Sequence, residues 1–159
     1  MYLIVWGILR DDRGRILLGR RSGARMADGL WNLPGGAAER DEDLTAAVSR
    51  EVAEEVGIRV DPAAWTSLGV SQFDGTGAGG ERVCGVSSFF MAQTWEGKPQ
   101  PLEKTSEVGW FDPVALPPDC FSWLPRALQL HLMEGAKLTQ QRGPMDEADG
   151  RRLCWTRLG

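Results

Sequence analysis

Glu51, Glu54 and Glu55 are the residues of this chain whose types and spacing could do chemistry. At about 100° per residue, a helix through them carries Leu44, Ala47, Val48 and Val52 on one apolar arc, the face expected to meet a core. Glu51 and Glu55 fall inside that arc, between Ala47 and Val48, and Glu54 lies on its border. A carboxylate aimed inward is costly unless it is paired or binds a cation. Three at i, i+3 and i+4 also repel one another. Hard oxygen ligands converging in this way suit Mg²⁺ or Mn²⁺. Arg50 adds one salt bridge and cannot balance three negative charges. Taken alone, Arg50-Glu51-Val52-Ala53-Glu54-Glu55 would read as a solvated acidic helix face; its place on the wheel argues otherwise.

Several elements must position this cluster. Asp41 is the expected helix cap, with Glu42 and Asp43 in a first turn that favours acidic residues. The helix is expected to run to about Val56, with Gly57 as its stop. Before it, Leu30–Leu33 is a short apolar run broken by Pro34-Gly35-Gly36. Tyr2–Leu9 and Ile16–Gly19 flank the turn Asp11–Gly14 and read as a hairpin, followed by a basic loop from Arg20 to Gly29. Strands are expected near Trp65–Ser71, over Arg82–Thr94 beyond the Gly75–Gly80 turn, and at Val108–Phe111. A last helix is expected over Leu124–Met133, with Pro125 in its first turn. The polar tail from Glu134 carries an apolar patch at Leu153–Trp155, read either as a loosely attached extension or as a late strand. Irregular alternation of strands and helices suggests a mixed sheet with helices on its faces.

Composition narrows the functional class. A chain of 159 residues, 42% hydrophobic and 25% charged, is one ordinary globular domain with a core of its own. Its net charge of −4 argues against a stable nucleic-acid partner, while a few placed cations can still serve a small anionic ligand. Cys84, Cys120 and Cys154 are scattered, and with the lone His131 they match no zinc spacing; reduced thiols in a cytoplasmic protein are expected. His131 itself, inside a helical pattern, reads as structural. Tyr2–Leu9 lacks a basic flank and a cleavage pattern and is expected as a buried strand. No segment has the length of a membrane span.

Gly36-x5-Glu42-x7-Arg50-Glu51-Val52-x-Glu54-Glu55-x-Gly57-Ile58 matches GX5EX7REUXEEXGU at every specified position. The chain thereby resembles the Nudix hydrolases, MutT-like nucleoside triphosphate pyrophosphohydrolases among them. Weaker likeness lies in Leu17–Arg21, Trp31–Gly36 and Glu107–Asp112. The resemblance implies an α/β/α sandwich with a mixed β-sheet, the box forming a loop-helix-loop. It assigns a Nudix domain to residues 1–135 and a C-terminal extension to 136–159. It implies metal ligation by Glu51, Glu54, Glu55 and the Gly35 carbonyl. Glu51 is the candidate base, Glu51, Glu54 and Arg50 are the catalytic set, and Glu42 and Arg50 orient the ligands. Many members carry Gly just before the first glutamate of the box, where this chain has Asp41.

The resemblance also places Arg20, Arg21, Arg25, Trp31 and Gly36 at the substrate, arginine being suited to bidentate phosphate recognition. Of the seven tryptophans, Trp31 and Trp123 are candidates to stack a base, as is Phe121, and the others are expected in the core. Glu103 and Glu107 are alternatives for a further assisting carboxylate. Pro101–Lys104, Glu107, Trp110–Asp112 and Leu116-Pro117 are similar to members that hydrolyse nucleoside triphosphates, and the additional N-terminal domain of many nucleotide-sugar-cleaving relatives has no counterpart. The expectation is therefore Mg²⁺- or Mn²⁺-dependent cleavage of (deoxy)nucleoside triphosphates to monophosphate and pyrophosphate, of use in sanitising the nucleotide pool. ADP-ribose or nucleotide-sugar hydrolysis is the alternative, and a non-catalytic nucleotide sensor the next. Nucleotide is the expected partner, without membrane, in a monomer or homodimer.

Overall fold

The computed structural model describes residues 1–23, 28–77, 79–144 and 153–159. The apolar run Tyr2–Leu9 is strand β1, and its alternation decides the layers. Val5 and Leu9 pack with Ala47, Val48, Val52 and Val56 of helix α1 (Leu44–Val56), whereas Ile8 packs with Leu124, Ala127 and Leu128 on the other side. Residues i and i+2 of a strand share a face, so one strand separates two helical layers. Gly7, on the α1 side, leaves the helix room to approach: a Cβ there would lie 2.8 Å from Val52 Cγ2.

β1 sits in a six-stranded sheet with β4 (Gly35–Ala37), β5 (Thr66–Thr76), β6 (Arg82–Ala92), β8 (Leu138–Pro144) and β9 (Cys154–Arg157), in the order β4-β1-β6-β5-β8-β9. The β1–β6 and β5–β8 pairs are parallel and the others antiparallel. This mixed sheet between helices is the expected α/β class. A second sheet of three strands joins β3 (Trp31–Asn32), β2 (Ile16–Arg21) and β7 (Thr105–Phe111).

The expected hairpin is corrected here. The Asp11–Gly14 turn forms, with Asp11 Oδ1 accepting from the amides of Arg13 and Arg15, but only an Arg10–Ile16 bridge links its arms. β1 already has β4 and β6 on its two edges, so β2 pairs with β3 and β7 instead. β2 then wedges between the cores, with Leu17 on the α1 side and Ile16 and Leu18 on the other.

The helix cap also differs from expectation. Asp43, not Asp41, is the N-cap residue of α1, in extended conformation and without a side-chain capping bond. Glu42 and Asp43 thus precede the helix. Asp41 has φ 63°, the left-handed region where glycine is at ease and Asp is tolerated. That explains in backbone terms how Asp stands where many members of the resembling family carry Gly. Gly57 ends the helix as expected, at φ 71°, its amide bonded to Ala53 O.

α2 (Leu124–Ala127) continues as a π-helical stretch, Leu128–Met133, where one regular helix was expected. His131 within it is buried. Its Nδ1–H donates to Ala136 O at 2.8 Å, so Nε2 accepts from the Thr139 hydroxyl at 3.0 Å. Burial lowers its pKa, and its ring stacks on Phe89. Among the described residues of the stretch expected as an extension, Leu138–Pro144 and Cys154–Arg157 are β8 and β9 of the main sheet. No helix among the described residues is long and apolar enough to cross a membrane.

Candidate active site

The site is built where β4 runs between β1 and α1. Gly35 and Gly36 are the register partners of Trp6 and Val5. A Cβ on Gly35 would collide with Val5 O and lie 2.6 Å from Trp6 Cε3; one on Gly36 would lie 2.7 Å from the Glu51 carboxylate. Glycine at 35 lets β4 lie against β1, and glycine at 36 leaves the Glu51 carboxylate its place over the backbone.

Arg50 organises those carboxylates. Its Nε and Nη2 donate to the two oxygens of Glu42 at 2.8 and 3.0 Å, a fork-on-fork pair. Its Nη1 donates to Glu51 at 3.0 Å and to Glu54 at 3.4 Å, and Nη2 also reaches Ala37 O at 3.3 Å. Glu42 in turn accepts from the Glu39 amide. The guanidinium pulls the Glu42 carboxyl down to about 2, and the pairing pushes Arg50 above its already high value.

Glu55 is in the opposite situation. Burial, and then the negative charge of Glu51, hold its carboxyl well above the usual range; Glu51 shares a hydrogen bond with it, and the Gly35 amide and the charge of Arg21 offset the rise only in part. A buried carboxyl whose proton is held more tightly still by a neighbouring carboxylate is a place where a cation would be welcome.

These groups face one cavity of about 290 Å³ lined by Arg21, Gly35, Gly36, Glu51, Glu54, Glu55, Glu103 and Lys104. Glu103 and Lys104 are delivered by a segment that docks on the end of α1. The amides of Gln100, Leu102 and Glu103 donate to the carbonyls of Val56, Glu55 and Glu54 at 2.9, 3.0 and 3.2 Å, which satisfies acceptors that every helix C-terminus leaves open. Among the described residues, no three His, Cys, Asp or Glu side chains are already drawn into the arrangement that holds a metal. Arg50 engages Glu51 and Glu54 instead. The donor set is nevertheless all hard oxygen and converges on one cavity, which fits Mg²⁺ or Mn²⁺.

A second cavity, of about 140 Å³, is mainly aromatic and aliphatic, lined by Trp6, Phe73, Phe89, Phe121 and Trp123 among others. Trp123 packs 5.1 Å from Trp6 and 5.9 Å from Phe121, centroid to centroid. Arg21 joins the two cavities: it lines the acidic one, and its Cζ lies 5.7 Å from the Phe121 ring centroid.

The family model for the NUDIX domain matches residues 2–130. This chain belongs to the Nudix hydrolase family. The crystal structure of a MutT NUDIX hydrolase from Burkholderia pseudomallei is 32% identical, with a TM-score of 0.68 over 80% of this chain and 95% of that one. A MutT-like protein from Streptomyces ambofaciens is 46% identical over 57 residues, 36% of this chain and 34% of its own. The NUDIX domain of NrtR from Shewanella oneidensis, solved in complex with ADP ribose, is 28% identical, with a TM-score of 0.56 over 70% of this chain and 72% of that one. Four of the curated relatives are matched over 25–42% of their own lengths. Nudix hydrolases generally need a divalent metal.

Within this Nudix site the structure brings Glu51, Glu54, Glu55, Gly35, Gly36 and Arg21 to one cavity, with Arg50 bonded to two of the glutamates. It does not bring Arg20 there. Arg20 is engaged elsewhere, donating to Gly29 O and Asp119 at 2.9 Å and lying 3.5 Å from Glu107; a strand sends neighbouring side chains to opposite faces. Trp31 is a core residue, 8% exposed and edge-on to Phe111, and lines neither cavity. Arg25 lies outside the described residues. Of the two later glutamates, Glu103 lines the cavity and Glu107 pairs with Arg20. Several lining residues are not among the expected site residues, Trp6, Phe73, Phe89 and Lys104 among them. Trp6 was passed over as core, though strand alternation opposite Val5 was available as a signal. Lys104 belongs to the Pro101–Lys104 stretch of family likeness, but only the fold brings its side chain to the box. Asn32, buried with neither amide atom hydrogen-bonded, was missed as well.

Proposed function

We propose that this Nudix chain hydrolyses nucleoside triphosphates, deoxy forms included, to a monophosphate and pyrophosphate, using Mg²⁺ or Mn²⁺. The observation that carries the proposal is Arg21, which lines the acidic cavity while lying over Phe121 of the aromatic one. A nucleotide has that same polarity, a flat apolar base at one end and phosphate oxygens at the other. Phe121 and Trp123 offer aromatic surface to the base, and Arg21 offers a guanidinium to the phosphates. Glu51, Glu54, Glu55 and the Gly35 carbonyl would hold the metal. When bound, the metal offsets phosphate charge and lowers the pKa of a water molecule.

In this reading Glu51 accepts the proton of the attacking water. The water oxygen bonds to phosphorus, and the anhydride P–O bond breaks with its electron pair leaving on pyrophosphate. Arg50 holds Glu51 and Glu54 in place, and Glu42 holds Arg50. Most of the acceleration would come from positioning and charge stabilisation. Clearing damaged triphosphates from the nucleotide pool is a role that such an activity would serve.

The likeness to a NUDIX domain solved with ADP ribose favours a second reading, cleavage of ADP-ribose or a nucleotide sugar. Product analysis separates the two. The protein is incubated with Mg²⁺ and a panel of nucleoside triphosphates, ADP-ribose and nucleotide sugars. Monophosphate plus pyrophosphate from triphosphates supports the proposal. AMP plus ribose phosphate from ADP-ribose alone would replace it with the second reading, and nucleotide binding without cleavage would point to a sensor.

A further inference from the structure

The acidic cavity contains a cation that the box does not account for. Lys104 lines it beside Glu51, Glu54, Glu55 and Glu103, yet its ammonium forms no ion pair or hydrogen bond among the described residues. Arg50, by contrast, is engaged by three glutamates. The Lys104 backbone is held at φ 50°, a region that residues other than glycine seldom adopt. Three backbone contacts keep it there: the Glu103 amide on Glu54 O, the Thr105 amide on Leu102 O, and Lys104 O accepting from the Ser22 amide at 2.9 Å. The last contact, with the Arg21–Thr105 pairing of β2 and β7, sets Lys104 beside the strand end that carries Arg21. A polyphosphate entering a cavity lined by four glutamates meets negative charge on its walls, so cations beside them decide whether it can stay.

We propose that Lys104 is a substrate-binding residue that grips the phosphate chain from the wall of the cavity its own loop forms, completing with Arg21 a two-cation clamp. The inference rests on the proposed pyrophosphohydrolase reading. A lysine ammonium acts as a point charge without the fork of arginine, so it suits a phosphate oxygen whose position shifts as the anhydride bond breaks.

The test compares wild type with Lys104→Ala, Lys104→Gly and Lys104→Arg on whichever nucleotide the wild type cleaves, varying substrate and Mg²⁺ separately, with thermal melts alongside. Lys104→Ala and Lys104→Gly should raise KM on the order of tenfold, leave the Mg²⁺ activation constant within about twofold, and be rescued in large part by Lys104→Arg. Lys104→Gly, which suits the backbone, should melt no lower than wild type. Unchanged KM in both truncations overturns the proposal, as does a changed Mg²⁺ constant with KM intact. If the wild type cleaves no nucleotide, the functional reading fails separately, and calorimetric binding of inorganic pyrophosphate still decides Lys104: weaker binding in Lys104→Ala upholds the clamp, and equal affinity removes it.

Discussion

Arg50 and Glu42 close a fork across the loop leading into α1, with Nε and Nη2 of the arginine at 2.8 and 3.0 Å from the two carboxylate oxygens. The remaining nitrogen, Nη1, faces Glu51 and Glu54. The pair therefore works as a bracket, in which the loop glutamate aims the arginine and the arginine aims the helix glutamates. Lysine cannot make the fork. Arg50→Lys and Glu42→Gln should each lower kcat about 10- to 100-fold. Because they break one network, the double variant should lose less than the product of the two. Steady-state kinetics on all three proteins checks this; multiplicative losses would mean that the residues act independently.

Glu55 should give the metal-free protein an unusual pH dependence. Burial, with the Glu51 charge second, raises its folded pKa above the unfolded value of about 4.3. The folded chain then binds the proton more tightly, so this contribution is fully present below the unfolded pKa and is lost as pH rises through the folded one. Melting temperature should fall with rising pH in wild type and less so in Glu55→Gln. Added Mg²⁺ should lessen the fall, because a ligating carboxylate must be deprotonated. Identical slopes for the two metal-free proteins would show that Glu55 is not the group responsible.

The two glycines of β4 should fail in different ways. Gly36→Ala places a methyl 2.7 Å from the Glu51 carboxylate, a side chain that can swing aside, so turnover should drop while the melt is nearly kept. Gly35→Ala drives a methyl into Val5 O and the Trp6 ring, which cannot move without parting β1 from β4, so stability should fall first. Parallel melts and assays distinguish the two; equal melting losses would contradict this division.

Trp123 and Trp31 offer a similar contrast. Trp123→Ala removes a wall of the aromatic cavity and should raise the nucleotide KM. Trp31→Ala empties a core position and should cost about 3–5 kcal/mol of stability with KM held wherever the protein stays folded. A KM effect confined to Trp31→Ala would reverse the assignment.

Glu103 and Glu107 should separate as well. Glu103→Gln alters the cavity wall and should lower kcat. Glu107→Gln removes an exposed 3.5 Å ion pair with Arg20, a change within about 1 kcal/mol of stability, and should leave turnover alone. Equal kinetic losses would return Glu107 to the site.

Much of the site was legible because a helix converts spacing directly into direction. Glu51 and Glu55 had to fall on the apolar face of α1, so their conflict with burial was visible in the sequence, as were the Gly57 stop and the need for a close-backed Pro-Gly-Gly turn. Tyr2–Leu9 was legible as a buried strand, though not the two layers that Val5 and Ile8 serve. Which strand meets which edge was not legible, since β1 and β2 read as one hairpin until β4 and β6 occupied the edges of β1. The fates of Arg20 and Arg21 were hidden for the same reason: adjacent in sequence and alike in chemistry, they are sent apart by the pleat, one to Asp119 and the other to the acidic cavity. Local periodicity carries information over a few turns of backbone. The meeting of Lys104 with Glu54, or of Phe121 with Arg21, depends on loop closure between distant segments, and no spacing in the chain encodes it; only the packed tertiary structure does.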